Sequence, residues 1–228
     1  MDVIREDQPT RPGRFSDLVP RSLSAILMIA IGGGALYLGG WEWIVLVVLV
    51  FLQSQRELIG LARSGGGGPF LPACSVFSAV VLLAAISVVE MRATRPGTFA
   101  LLICIAAVVA ADVGAYAGGK IIGGPLLAPG ISPRKTVSGA VAGFLAAIVA
   151  AFFVARALHL SALHALPLGI VSALCSQFGD LYESWIKREA GAKDSGRLIP
   201  GHGGLLDRVD GLSFAVLGAV LTILWARV

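Results

Sequence analysis

The chain has 228 residues, of which 56% are hydrophobic and only 14% charged, with three cysteines and a formal net charge of +4. Soluble domains carry about 25% charged residues, so this composition, with a mean hydropathy of +0.84, excludes an ordinary soluble domain and indicates an integral membrane protein. No run interleaves basic with aromatic residues as a nucleic-acid surface would, and the excess positive charge reads as a topology and headgroup signal.

The first 20 residues are polar and of mixed charge, with Pro9, Pro12 and Pro20, and form a segment outside the membrane. The remainder, 21–228, reads as a single transmembrane domain. Apolar runs follow at Leu23–Leu38, Trp43–Leu52, Leu71–Val89, Thr98–Ala111, Val137–Ala157, Ala165–Phe178 and Leu212–Ala226, which predicts an all-α bundle of about seven spans. The first is read as a retained helix, because the acidic leader lacks a small-residue cleavage site. Several runs fall short of the ~20 residues needed to cross the hydrocarbon, so their helices must extend into charged flanks. The second continues through Glu57 toward Ala62, the fourth through Asp112 and the sixth through Asp180. Continuous apolar blocks, in place of alternation, disfavour a β-barrel. Between the second and third runs, Gly65 to Pro69 reads as a flexible turn.

Threading seven spans puts fourteen of the 18 Lys and Arg residues on one side. The positive-inside rule assigns that side, with the N-terminus, to the cytoplasm. The long polar stretch Ser184–Asp210 shares it. Cys74, Cys104 and Cys175 each sit in an apolar run without ligand spacing, as small packing residues.

Most of the chemistry lies between residues 112 and 210, the N-terminal half being read as mostly membrane filler. If the sixth span stays helical through Arg188, then Asp180, Glu183, Ser184 and Lys187 share one face at i, i+3, i+4 and i+7. Such a stripe either holds a divalent cation with its phosphate oxygens or forms a self-paired helix end with Lys187 snorkelling. Asp207 and Asp210 repeat the i, i+3 pairing at the mouth of the last span, as further cation ligands or as helix caps. Carboxylates converging from different helices repel unless a cation sits among them. In the loop between, Pro200 to Gly204 offers backbone N–H groups to an anion, with His202 as a turn residue or phosphate contact. Lys187, Arg188, Lys193, Arg197 and Arg208 place five cations within 22 residues, interspersed with acids. That blend suits a site binding metal through carboxylates and polyphosphate through cations.

The 27 residues from Ser184 to Asp210, S-W-I-K-R, four residues, then K-D-S-G-R-L-I-P-G-H-G-G-L-L-D-R-V-D, resemble the signature of the phosphatidate cytidylyltransferase (CDP-diacylglycerol synthase) family. Gly179 to Ser184 resembles the family's G-D-L-x-E-S, and Ser132 to Thr136 its S-P-x-K-T. Asp112, Ala115, Tyr116 and Gly119 fit its D-x-x-A-Y-x-x-G. The resemblance implies CMP transfer from CTP to phosphatidate, giving CDP-diacylglycerol and pyrophosphate, with Mg²⁺ as cofactor and K⁺ as a second cation. It further implies Asp180 and Asp207 as metal ligands, supported by Asp112, Glu183 and Asp210, with Asp180, Lys187, Asp207 and Asp210 as the catalytic set. Lys187, Arg188, Lys193, His202, Gly203, Gly204 and Arg208 would meet CTP or pyrophosphate. Ser132, Lys135 and Thr136 would face phosphatidate. A bacterial inner membrane with a cytoplasmic active site, and a homodimer, complete the expectation. Rival readings are a sibling CTP-dependent lipid enzyme, such as an isoprenoid-alcohol kinase, and a cation transporter. The transporter gives no use to a glycine-rich loop flanked by five cations.

Overall fold

A computed structural model of the chain describes residues 18–65, 69–199 and 203–226. It contains seven long helices: α1 (Leu18–Leu38), α2 (Gly40–Ser64), α3 (Phe70–Ala93), α4 (Arg95–Ile121), α5 (Val137–Ala157), α6 (Ala162–Glu189) and α7 (Leu206–Trp225). Five of them, α2, α3, α4, α5 and α7, are long and apolar enough to cross a membrane, and α1 offers the shorter apolar stretch Ser22–Leu38. The seven expected spans thus appear as seven helices, with the criterion of length and apolarity met by five. The acidic stripe that makes α6 interesting also lowers its hydropathy. Most of the expected N-terminal segment, and Gly66–Gly68 of the expected turn, lie outside the described residues.

One departure from an all-helical chain lies between α4 and α5, where β1 (Leu126–Ala128) pairs antiparallel with β2 (Ser132–Thr136). The segment carrying the S-P-x-K-T resemblance is therefore a hairpin strand. Thr136 ends it by capping α5, its hydroxyl accepting from Gly139 N at 3.1 Å, so one residue closes the strand and satisfies an orphan N–H of the next helix.

Helices α4 and α5 pack through small residues. Gly114 and Gly118 face Ala142, Gly143 and Ala146, and a side-chain carbon at either glycine would overlap the partner helix. Hydrocarbon solvates large side chains as well as a protein interior does, so close backbone approach takes over as the packing device. Large apolar residues accordingly point outward, among them Leu49, Leu83, Val113, Leu145 and Phe178. Around Phe77, α3 meets α6 and α7 in an aromatic cluster with Tyr182 and Phe214. The Tyr182 hydroxyl donates to Ala73 O at 3.0 Å, fixing α6 against α3.

Candidate active site

Helix α6 stays regular past Asp180 and ends only at Glu189. Its end is set by a left-handed glycine. Gly191 has φ +66°, Ala192 N donates to Lys187 O at 2.8 Å and Gly191 N to Arg188 O at 3.0 Å, the paired pattern of a Schellman motif. The chain turns back at once, and the described residues 192–199 and 203–205 pack at the polar end of α6.

The expected stripe forms. Lys187 Nζ lies 2.5 Å from Glu183 Oε2 and 2.7 Å from Asp207 Oδ1, joining α6 to α7. Glu183 is 0% exposed and Lys187 9%, so this is an interior triad and not a snorkelling helix end. Glu183 Oε1 has no hydrogen-bond partner among the described residues. Asp210, also buried, lies within electrostatic reach of Asp180, Glu183 and Lys187. Close approach of α6 to α7 at this level requires Gly179, where a side-chain carbon would meet Phe214 and the Asp210 carbonyl.

Asp180 pairs with Lys135 of β2, and Arg188 Nε donates to Ile131 O at 3.1 Å. The hairpin is thereby tied to α6 at both ends of the polar stripe. Asp112 on α4 faces the same group, feeling the charges of Asp180, Lys135 and Arg208. Ser132 starts β2 at the hairpin's turn. The Thr136 hydroxyl is engaged with Gly139 N and Ser138 Oγ. Lys193, Arg197 and Arg208 are exposed around the loop.

Asp207 is held differently from a bare metal ligand. Its oxygens accept from Ser195 N at 3.1 and 3.2 Å, from Gly204 N at 2.8 Å and from Lys187. Gly203 N is likewise engaged, with Ile199 O at 3.1 Å. Both glycine N–H groups are thus engaged within the loop and its helix. His202, with Pro200 and Gly201, lies outside the described residues.

One participant was not anticipated as a site residue. Glu57 of α2, 7% exposed, accepts from Leu205 N at 3.0 Å, Leu206 N at 2.8 Å, Ser195 Oγ at 3.0 Å and Gln53 Nε2 at 2.8 Å. It caps the N-terminus of α7 from another helix, where the orphan N–H groups and the helix dipole favour an anion. The membrane-filler reading of the N-terminal half therefore fails at this residue. The polar run Gln53 to Glu57, in a helix whose preceding turns are apolar, was the available signal.

No three His, Cys, Asp or Glu side chains among the described residues stand close enough to hold an ion by themselves. Magnesium asks for less than that, since it keeps several waters and binds through one or two carboxylates plus substrate phosphates. Asp112, Asp180, Glu183 and Asp210 bring an excess of hard oxygen donors from three helices, and one buried oxygen is without a partner. This donor set suits a hard divalent cation.

The chain is similar in sequence to known proteins. A phosphatidate cytidylyltransferase of Brucella suis biovar 1 (strain 1330) is 38% identical over 202 residues, covering 83% of this chain and 73% of the relative. Another, from Helicobacter pylori (strain ATCC 700392 / 26695), is 46% identical over 123 residues, 54% of this chain and 46% of the relative. One from Mycobacterium tuberculosis (strain CDC 1551 / Oshkosh) is 36% identical over 200 residues, 82% of this chain and 60% of the relative. The model of the cytidylyltransferase family matches residues 69–225, running through the hairpin, the acidic helix and the loop folded over it, and the chain belongs to that family.

Proposed function

We infer that this protein is a membrane-embedded phosphatidate cytidylyltransferase, transferring CMP from CTP to phosphatidate to give CDP-diacylglycerol and pyrophosphate. The observation that carries the reading is the joining of the signature loop to α6 through the Lys187, Glu183 and Asp207 triad, beside Asp180 and the hairpin, in a chain of this family. Both substrates are polyanions. A site of buried carboxylates ringed by exposed cations binds them if a divalent ion neutralises the acids.

In the reaction a phosphate oxygen of phosphatidate attacks the α-phosphorus of CTP. One P–O bond forms there as the bond to the β-phosphate oxygen breaks, and the pair of electrons leaves with pyrophosphate. The nucleophile arrives already charged, so positioning and charge stabilisation supply the catalysis. Asp180, with Asp112 and Asp210 beside it, would hold Mg²⁺; the ion supplies Lewis-acid stabilisation of the phosphate oxygens. Asp207 orders the loop through Ser195 and Gly204. Lys187 fixes the carboxylates of α6 and α7 relative to one another, and Arg188, Lys193 and Arg208 draw CTP and its departing pyrophosphate. Lys135 and Ser132 present the hairpin to the phosphatidate headgroup, with Lys135 exchanging Asp180 for that phosphate.

The bias of Lys and Arg toward the loop side supports a cytoplasmic active site, and the bacterial relatives support placement in an inner membrane. The deciding assay incubates purified protein with labelled CTP, Mg²⁺ and phosphatidate. Equimolar CDP-diacylglycerol and pyrophosphate, formed only when phosphatidate is present, is the expected result. CTP turnover without phosphatidate, or product with a different acceptor lipid alone, refutes the reading.

A further inference from the structure

We propose that Glu57 is a positioning residue for CMP transfer, acting on the catalytic loop from a helix that otherwise contributes none of the site. The inference rests on the cytidylyltransferase reading above.

The loop is held by two carboxylates from different helices, and Ser195 is the joint between them. Its backbone N–H goes to Asp207 and its hydroxyl to Glu57. From Glu57 the connection therefore runs through Ser195 to Asp207, then to Lys187 and Glu183. Leu205 N and Leu206 N, immediately before Asp207, end on the same Glu57 carboxylate. Any shift of Glu57 moves the first turn of α7 and the loop together.

The loop is also shaped to this carboxylate. A side-chain carbon at Gly196 would lie 2.8 Å from Glu57 Oε1, and one at Gly204 would lie 2.5 Å from Glu57 Oε2 and overlap Ser195 Oγ. Two glycines of the signature are thus the positions where the backbone wraps closely around Glu57. No Lys or Arg pairs with Glu57 among the described residues. Its charge is compensated by two backbone N–H groups at a helix N-terminus, one hydroxyl and one amide. An ion-pairing partner would add strength. This set of directional donors adds orientation, since each N–H fixes the angle as well as the distance of its segment.

Glu57→Gln keeps the volume but turns an NH₂ group toward N–H or O–H donors, so the loop must move to relieve it. A displacement on the order of 1 Å at the reacting groups lowers turnover about 10²-fold. The test compares wild type, Glu57→Gln and Ser195→Ala in detergent, measuring kcat per mole of monodisperse protein and KM for phosphatidate. Expected is an approximately 10²-fold fall in kcat for Glu57→Gln, with KM for phosphatidate unchanged because the hairpin does not touch Glu57. Ser195→Ala should lose about tenfold. A residue that merely supports packing would lower the yield of folded protein and leave kcat of the folded fraction intact; that result, or wild-type kcat in folded Glu57→Gln, overturns the proposal. If Glu57→Gln does not fold, Ser195→Ala decides, its reduced kcat supporting the proposal and wild-type kcat refuting it. Wild type that makes no CDP-diacylglycerol is a separate failure, of the substrate reading, and removes the inference with it.

Discussion

Replacing Lys187 by Met tests the triad at the centre of the site, because the two side chains are of similar length and only the ammonium is lost. In the folded protein that ammonium sits 2.5 Å from Glu183 and 2.7 Å from Asp207. The two carboxylates do not suffer equally when it goes. Asp207 keeps the N–H groups of Ser195 and Gly204, whereas Glu183, wholly buried, loses the only cation it pairs with among the described residues, and its Oε1 has no hydrogen-bond partner among them. Removing one partner of a buried ion pair costs about 3–5 kcal/mol, a large share of the ~5–15 kcal/mol that holds a domain folded. Most of that cost belongs to the stranded Glu183.

Adding Glu183→Gln to Lys187→Met removes the stranded charge, and the double variant should recover on the order of 1–3 kcal/mol, the size of coupling seen between directly contacting residues. Denaturant titration of wild type and the two variants in detergent, followed by tryptophan fluorescence, measures both quantities, with activity expected to be lost in both variants. A single variant as stable as wild type would mean that the triad does not carry the join between α6 and α7. A double variant no more stable than Lys187→Met would show that the cost does not come from the buried Glu183 charge.

Other expectations separate chemistry from scaffold. Asp180→Asn, which touches only Lys135 among the described ion pairs, should fold normally and lose about 10²–10³-fold in kcat; retained activity would remove Asp180 from the metal site. Chelation by EDTA should abolish turnover and added Mg²⁺ restore it, which activity in excess EDTA would contradict. Tyr182→Phe loses the hydrogen bond to Ala73 O and should cost about 1 kcal/mol of stability while leaving kcat unchanged, as read by paired melting and rate measurements.

The acidic stripe on α6 was legible because its logic is local. Helical periodicity alone puts Asp180, Glu183 and Lys187 on one face, and the charges declared themselves against an apolar background. The hairpin was not legible, since β2 is five residues long and its pairing with β1 is fixed by the geometry between α4 and α5. The span count was blurred at α6 for a related reason, because the residues that carry the chemistry are the ones that weaken an apolar signal.

What the amino-acid sequence determined by itself was the membrane class, the helical periodicities and the residues of the signature, all properties of composition or of spacing within a few turns. Tertiary structure decided how the carboxylates are employed. Glu57 meets its loop partners across 138 to 149 residues of chain, and two of those three partners are backbone N–H groups, which are the same in every sequence and acquire direction only when the fold places them. Asp207 followed the same rule, with Ser195 and Gly204 as its donors. A side chain's type can be read from the sequence, but the partner that sets its role is chosen by packing.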